Sequence, residues 1–399
     1  MDKVRFGIIG IGNMGSIHAK YLSENVVVGA TLAAICDTDA EKLAKATSQY
    51  KVPGFKTHHE MLASGQVDAV LIAVPHYDHM PIAMDAFAKG INVLCEKPIA
   101  VSVKAAREGI AAYQAAVKKF PDLKFGIMFN QRSNPLYQKL RDVIKDGELG
   151  EITRVTWLIT NWFRSWAYYG SGGWRATWKG EGGGVLINQC PHNLDLIQWV
   201  VDGLLPNRVT AVGFVGKTHP IEVEDDISAI LEYPNGAVGH FVTGTGEAPG
   251  TNRLEICGSR GKIVAEDNKL TFHRTRQDVQ EVNRTTTQSF VHIETWKCEL
   301  PIGGGRLLHE HPYITKNFTD CILKNTPNEN LLAPGPEGVN GLEIGNAIMM
   351  AGLTRKPVSI PVDGDAYDAF IDDMAKKYGG KKTLQASKAQ VDMGSSFQK

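Results

Sequence analysis

The segment VRFGIIGIGNMG, residues 4–15, decides the fold of the first half of the chain. Its first six residues, Val4–Ile9, are mostly apolar and have the length of one strand. The last six read G-x-G-x-x-G, and residues 16–23 carry a helical pattern. A lone glycine pattern is a weak signal, but the strand before it and the helix after it are the context it requires. The sequence therefore predicts a strand, a tight turn and a helix in close contact.

An acidic residue ends the next apolar run. Residues 32–36 read as a strand, and Asp37 follows at about the spacing expected of an acid that binds a ribose. The helix N-terminus would face a pyrophosphate, because its first N–H groups have no partner within the helix. We predict a dinucleotide site at Gly10, Gly12, Asn13, Met14, Gly15 and Asp37. The alternative is a glycine-rich turn that binds no ligand.

The residues around Asp37 favour NAD over NADP. A carboxylate accepts hydrogen bonds from ribose hydroxyls and repels a 2′-phosphate. Asp39 and Glu41 add negative charge, and Lys42 is the nearest cation. We therefore predict NAD as the cofactor.

Strand and helix patterns alternate as far as residue 129. Residues 67–74 form an apolar run that Pro75 ends, and a helical pattern starts at His79. Residues 91–95 read as a buried strand that delivers Glu96-Lys97-Pro98. This alternation predicts a doubly wound α/β domain over residues 1–125, with its ligand in the crevice outside the carboxyl ends of the strands. We expect further cofactor contacts at Val74, Pro75, His79, Glu96 and Lys97.

The pattern changes after residue 150. Residues 152–160 alternate and are rich in β-branched side chains, and further strand signals run to residue 273. Residues 233–236 read as a hairpin turn, and residues 311–323 and 337–353 as helices. The sequence predicts a C-terminal α/β domain over residues 126–378, built on a large, mostly antiparallel open sheet with helices on one face. Residues 379–399 read as an extended tail.

A tract of unusual composition covers residues 161–199. It holds five of the seven tryptophans, and a triple glycine, residues 182–184, divides it. Asn188, His192 and Asp195 then lie at i, i+4 and i+7, on one side of a helical path. Tryptophans stack on sugar rings or fill a core, and His192 acts in chemistry or is a satisfied core histidine. The sequence alone leaves both choices open.

The composition excludes several classes of protein. Lys plus Arg equals Asp plus Glu, 43 each, so no global field recruits nucleic acid or an anionic membrane. No secretory signal or membrane-spanning segment is recognisable. The six cysteines are scattered, and they read as free thiols in a reducing cytoplasm rather than as disulfides or a metal site. We therefore expect a cytoplasmic protein with no metal.

Three motifs together resemble the glucose–fructose oxidoreductase / inositol dehydrogenase (Gfo/Idh/MocA) family. They are residues 10–15 with His18, then residues 96–98, then the triple glycine with Asn188, His192 and Asp195, and the resemblance runs from residue 4 to about 362. It implies a Rossmann domain joined to an α/β domain whose open sheet makes a homodimer or homotetramer contact. It also implies bound NAD(H) or NADP(H), a catalytic Lys97, a cis Lys97–Pro98 bond and His192 as the acid/base.

The resemblance implies hydride transfer at a secondary hydroxyl of a sugar, a cyclitol or a related polyol. The family commonly has aspartate where this chain has Asn188, so we expect Asn188 to orient substrate rather than carry a proton. Candidate substrate contacts are Trp162, Arg164, Trp174 and Arg175. An alternative keeps the fold but cleaves glycosides through transient oxidation by bound NAD. A further alternative is a non-catalytic protein that senses NAD.

Overall fold

The computed structural model describes residues 2–303 and 310–384. Within these residues, six parallel strands form a first sheet in the order β3-β2-β1-β4-β5-β6. The strands are β1 (Val4–Ile9), β2 (Ala30–Cys36), β3 (Gly54–Phe55), β4 (Ala69–Ile72), β5 (Asn92–Cys95) and β6 (Phe125–Ile127). The helices between them are α1 (Asn13–Ser23), α2 (Ala40–Tyr50), α3 (His58–Ala63), α4 (His79–Ala88) and α5 (Val103–Val117).

The doubly wound domain predicted from the sequence is confirmed. The strand order reverses between β1 and β4, and this is the switch point where open α/β sheets bind their ligands. β1 leads into Gly10, β2 into Asp37, and β5 into Glu96 and Lys97, so the predicted cofactor residues reach one edge of the sheet. The predicted strand over residues 67–74 is shorter, because only Ala69–Ile72 pair with neighbours.

A second sheet of nine strands fills the other half of the described chain. Its order is β14-β13-β12-β11-β7-β10-β9-β8-β15, and the pair β7–β10 is parallel while the other pairs are antiparallel. The strands are β7 (Ile152–Ile159), β8 (Arg208–Val215), β9 (Glu224–Glu232), β10 (Val238–Gly244), β11 (Asn252–Gly258), β12 (Gly261–Glu266), β13 (Lys269–Thr275), β14 (Thr295–Leu300) and β15 (Val358–Ser359). The predicted antiparallel architecture and the hairpin turn at residues 233–236 are confirmed.

Helices α6 (Pro135–Lys145) and α11 (Gly338–Thr354) pack on this sheet. The other helices described after β6 are α7 (Trp166–Gly170), α8 (Pro191–Trp199), α9 (Val279–Thr285), α10 (Glu310–Leu323) and α12 (Gly364–Tyr378). α11 packs on β8, β9 and α8. Its largely buried surface explains why its sequence is apolar almost all round.

The later part of the chain returns to the first sheet. In α10, Ile314, Phe318 and Cys321 are buried in the same core cluster as Phe6 and Leu22. The predicted boundary after residue 125 falls inside β6, whose three residues all pair with β5. The two predicted domains follow one another in the chain, but α10, from the second, packs on the sheet of the first.

Part of the predicted tail lies on the folded body. Lys382 Nζ donates to the backbone oxygen of Arg175 at 2.7 Å, and Gly380 N donates to Glu222 Oε1 at 2.8 Å. Residues 381–384 have no helix or strand, and the extended tail that we predicted from residue 379 stays a prediction. Residues 385–399, the rest of that segment, lie outside the described residues.

Candidate active site

The glycine turn has the shape of a dinucleotide site. Gly10 has a φ of +89°, and a Cβ added at Gly15 would lie 1.8 Å from the Gly10 oxygen, so helix and strand approach closely at this point. A Cβ added at Gly12 would meet no atom of the described residues within 4 Å. Gly12 is the N-cap of α1, and no side chain caps the helix there. Open space in front of uncapped N–H groups fits a pyrophosphate.

Asp37 is held beside this turn by the main chain. Its carboxylate accepts from Ile11 N and from Asp39 N, both at 2.8 Å. These two bonds reach both carboxylate oxygens and fix the orientation of the group. The residues present therefore fit the adenosine half of NAD, as the sequence predicted.

Glu96 anchors the strand end that carries the lysine. Its Oε1 lies 2.7 Å from His18 Nε2, and its Oε2 accepts from Lys97 N at 3.1 Å. Tyr21 Oη lies 2.7 Å from both His18 Nδ1 and Thr315 Oγ1. Burial by itself would raise the pKa of Glu96, but the hydrogen bond and charge of His18 outweigh it and lower that pKa to about 2. The structure places Glu96 as a support for Lys97, with both oxygens bonded to protein.

Lys97 points toward the second domain. Its Nζ donates to the backbone oxygen of Asn188 at 2.9 Å, and the Lys97–Pro98 bond is cis. Burial lowers the pKa of Lys97, while the negative charge of Glu96 opposes that change. The Lys97 ammonium group is thus a buried hydrogen-bond donor that lies between the two domains.

His192 lies in the first turn of α8 with an unsatisfied ring. Its Nδ1 is buried and has no hydrogen-bond partner among the described residues. Burial lowers the pKa of His192 well below its ordinary value, and the positive charge of Lys97 lowers it further. The ring is therefore neutral near pH 7 and able to accept a proton. The unpartnered Nδ1 favours a role in chemistry over that of a satisfied core histidine.

Asn188 has both ends of its side chain bonded to protein. Its Nδ2 donates to Glu181 Oε1, and its Oδ1 accepts from Tyr168 Oη at 3.3 Å. Tyr168 Oη in turn accepts from Arg175 Nη1 at 2.7 Å and from Gln189 Nε2 at 3.2 Å. Sequence reasoning missed Glu181 and Tyr168. The position of Glu181, directly before the triple glycine, was the one signal available.

The predicted substrate contacts gather around Tyr168. The guanidinium groups of Arg164 and Arg175 lie 5.0 and 4.6 Å from the centre of the Tyr168 ring. Trp162 stacks under Arg164, and Trp174 stacks under Arg175. Several buried polar atoms of this tract have no partner among the described residues, among them Trp162 Nε1, Arg175 Nε, Trp178 Nε1, Gln189 Oε1 and His192 Nδ1. Buried polar groups normally bond to protein, water or a ligand.

The other tryptophans of the tract have different environments. Trp178 is fully buried against Phe370, and Trp199 lies under Arg132 and Arg141. Trp166 is 59% exposed. Two of the five tryptophans therefore fill the core, as one interpretation held, while Trp162 and Trp174 lie beside Arg164 and Arg175.

Two further polar residues of the sequence pattern serve the scaffold. Asp195 pairs with Arg132 through both carboxylate oxygens, at 2.6 and 2.8 Å, and is fully buried. His79 places its ring nitrogens 2.7 Å from Pro98 O and 3.0 Å from Val74 O. His79 thus joins the predicted cofactor segments at residues 74 and 98, and both of its nitrogens face protein carbonyls.

Three side chains of the kinds that bind metal ions lie close together on the surface of the first domain. Within residues 2–303 and 310–384, His58, His59 and Asp85 bring three ligand atoms within 4.8 Å of one another. This group lies on α3 and α4, outside the residues described above. In the same described part of the chain, no helix is long and apolar enough to cross a membrane.

The fold and this site together define an NAD-binding oxidoreductase. Residues 4–120 match the oxidoreductase family model with an NAD-binding Rossmann fold, and residues 137–264 match the GFO/IDH/MocA C-terminal domain. The two matches together span more than half of the chain. The chain belongs to the Gfo/Idh/MocA family, as its three motifs predicted.

Curated relatives and solved structures agree with this assignment. The chain is 32% identical over 201 residues to the rhizopine catabolism protein MocA of Rhizobium meliloti, covering 50% of this chain and 58% of that protein. It is 29% identical over 273 residues to an inositol 2-dehydrogenase of Rhizobium meliloti, covering 67% of this chain and 76% of that protein. The WlbA dehydrogenase from Bordetella pertussis, solved with NADH and UDP-GlcNAcA, is 26% identical with a TM-score of 0.73, covering 90% of this chain and all of that one.

Proposed function

We propose that this protein transfers a hydride between NAD and a secondary hydroxyl of a sugar, a cyclitol or a related polyol. The observation that carries the proposal is the pairing of Lys97 with the Asn188 main chain, beside the unsatisfied ring of His192. Lys97 is a hydrogen-bond donor and His192 is a base. Both lie between the NAD-binding domain and residues 161–199, the aromatic tract. Names of relatives such as inositol 2-dehydrogenase support a polyol substrate.

In this mechanism His192 and Lys97 both act on the oxygen atom of the substrate hydroxyl group. His192 takes the hydroxyl proton, because its lowered pKa keeps the ring neutral. Lys97 donates a hydrogen bond to the same oxygen and stabilises its developing negative charge. Bound NAD would supply the acceptor for the hydride that leaves the carbon. Asp37 and the glycine turn would hold this cofactor, and His79 fixes the segments on which Val74 and Pro98 lie.

The substrate would lie against the aromatic tract. Trp162, Trp174, Arg164 and Arg175 offer ring faces and N–H donors, which suit a molecule with several hydroxyl groups. The amide of Asn188 is bonded to Glu181 and Tyr168, so its main chain contributes more directly than its side chain. This refines the role of substrate orientation that we expected for Asn188.

A redox-neutral reaction on glycosides is the second candidate. The asparagine at residue 188 is the observation that favours it, because that side chain cannot hold a proton. A panel of inositols, aldoses and glycosides, each with NAD and with NADP, separates the two candidates. We expect net NADH from a polyol or a sugar, and weaker reaction with NADP. Glycoside cleavage without net NADH would contradict the dehydrogenase.

We also propose that the molecule is a homodimer or a homotetramer that associates through the open face of the second sheet. Val212 and Phe214 on β8 and Ile230 on β9 are 42–48% exposed on the face away from α11. Contiguous exposed apolar side chains favour an interface. Ile230→Asp should lower the mass measured by sedimentation, and an unchanged mass would place the contact elsewhere. A cytoplasmic location remains our expectation from the six free cysteines.

A further inference from the structure

Glu181 is a fully buried carboxylate that the proposed mechanism does not use. Its Oε2 accepts from Ala176 N at 2.5 Å, and its Oε1 accepts from Asn188 Nδ2. Arg175 Nη1 lies 3.7 Å from the same Oε1. The backbone oxygen of Glu181 lies 3.1 Å from His76 Nδ1. The residue thus connects the aromatic tract to the end of β4 and to Asn188.

Asn188 joins Glu181 to the proposed catalytic lysine. Its side chain bonds to Glu181, and its main-chain oxygen accepts from Lys97 Nζ. The negative charge of Glu181 also acts directly on Lys97 and raises its pKa, against the effects of burial and of Arg175. A buried charge that has several hydrogen bonds and lies this close to a catalytic group is costly to keep without a function.

We propose that Glu181 is a positioning residue for the proposed reaction, which fixes Asn188 and keeps Lys97 in its charged, donating form. The proposal rests on the proposed function of Lys97. Glu181 acts on Lys97 in two ways. The hydrogen bond to Asn188 sets where the Lys97 acceptor lies, and the negative charge offsets the neighbouring cations.

Several charged and titratable groups surround Lys97. From the first domain these are Glu96, His76 and His79, and from the second they are Arg164, Arg175, Glu181, Cys190, His192 and His311. Glu96 is already paired with His18. Burial raises the pKa of Glu181, and the charge of Arg175 opposes that rise. Loss of the Glu181 charge would leave Lys97 facing Arg164 and Arg175 with Glu96 as the remaining carboxylate of this group.

The test compares Glu181→Gln with Glu224→Gln. Glu224, the first residue of β9, is an equally buried carboxylate that binds the same glycine segment, but it accepts from Gly184 N and Leu186 N instead of contacting Asn188. The first readout is the titration of Lys97 Nζ by ¹⁵N NMR, assigned with Lys97→Ala. We expect Glu181→Gln to lower the midpoint by about one pH unit, because a nearby opposite charge favours the charged form. Glu224→Gln should leave the midpoint unchanged.

The second readout is the pH profile of kcat/KM with a substrate from the panel. The alkaline limb reports loss of the Lys97 proton, so it should move to lower pH in Glu181→Gln and remain in place in Glu224→Gln. Equal shifts in both variants, or none in Glu181→Gln, would overturn the proposal. The NMR titration needs no turnover. Failure of Lys97→Ala to affect turnover would instead refute the proposed function, whatever the titration shows.

Discussion

Asn188 uses its main chain and its side chain for different partners. The main-chain oxygen accepts from Lys97, and the amide spans Glu181 and Tyr168. An aspartate at this position would place a second carboxylate against Glu181. An asparagine is the residue of similar shape that can donate to Glu181, so the departure from the family pattern is matched by a neighbouring carboxylate.

This pairing predicts how Asn188→Asp behaves. Two adjacent buried carboxylates repel, so the pKa of the pair is raised in the folded state and stability falls as pH rises above their unfolded pKa values. We expect the variant to lose about 1–3 kcal/mol more stability at pH 8 than at pH 5, relative to the native chain. Urea unfolding measures the difference. Asn188→Ala is the control, since it adds no charge, and an equal pH effect in both variants would argue against the pairing.

At the scale of elements, the sequence pattern predicted the units whose physics is local. The turn at residues 10–15 requires glycine for contact between Gly15 and Gly10, and α6 begins with an Asn134 cap and Pro135, which are local signals of a helix start. The short strands β3 and β15, of two residues each, carry no pattern long enough to detect. β14 alternates polar and apolar residues but lies beyond residue 273, where the strand signals of the sequence end, and its residues are exposed or half-buried.

The site likewise contains residues that the sequence pattern predicted and residues that it did not. Lys97, Asp37 and the glycines lie at strand ends, where the alternation of strands and helices locates them. Glu181 and Tyr168 lie in an irregular tract, and their contacts with Asn188 depend on tertiary packing alone. The packing of α10 on the first sheet could not be predicted either, because it joins residues about 300 positions apart, such as Tyr21 and Thr315.

Two glycine variants of the nucleotide turn should separate folding from binding. A methyl at Gly15 would collide with the Gly10 oxygen, so Gly15→Ala should lose about 1–3 kcal/mol of stability as well as NAD affinity. A methyl at Gly12 would enter open space before α1, so Gly12→Ala should keep its melting temperature but bind NAD more weakly. Calorimetry and NAD titration measure both. Native NAD affinity in Gly12→Ala would refute the assignment of the pyrophosphate to this turn.

At the scale of the whole molecule, distant parts of the chain support one lysine. His18 on α1 and Thr315 on α10 hold the Glu96 network, while Asn188 and Glu181 approach from the second domain. Arg132 similarly joins Asp195 on α8 to Glu337 before α11. Because buried ion pairs are strongly destabilising when broken, these links couple the site to global stability.

The buried histidines make the free energy of unfolding sensitive to acid. Burial lowers the pKa of His311 to about 4, and it also lowers the pKa of His76 and His192. At these histidines the folded state binds fewer protons than the unfolded state, so their contribution to stability falls as pH decreases from about 6.5 to 4. Glu224, whose pKa burial raises to about 8, contributes in the opposite direction. The share of His311 alone is about 3 kcal/mol. Glu96, with a pKa of about 2, contributes only at still lower pH.

Urea unfolding at pH 7 and pH 4.5 measures this acid loss. His311→Gln should show a smaller loss between the two values, because a neutral amide takes up no proton. An equal change in stability between the two pH values in His311→Gln and in the native chain would contradict neutral burial of the His311 ring.

The most direct test of the account follows deuterium from substrate to cofactor. A substrate from the panel is labelled at its carbinol carbon and mixed with NAD and the native protein or Lys97→Ala, and the labelled NADH is measured by mass spectrometry. We predict transfer by the native protein, and transfer slower by about 10²–10³-fold in Lys97→Ala with NAD affinity nearly unchanged. Equal transfer by the two proteins would contradict the role of Lys97, and glycoside cleavage without net labelled NADH would contradict the proposed dehydrogenase.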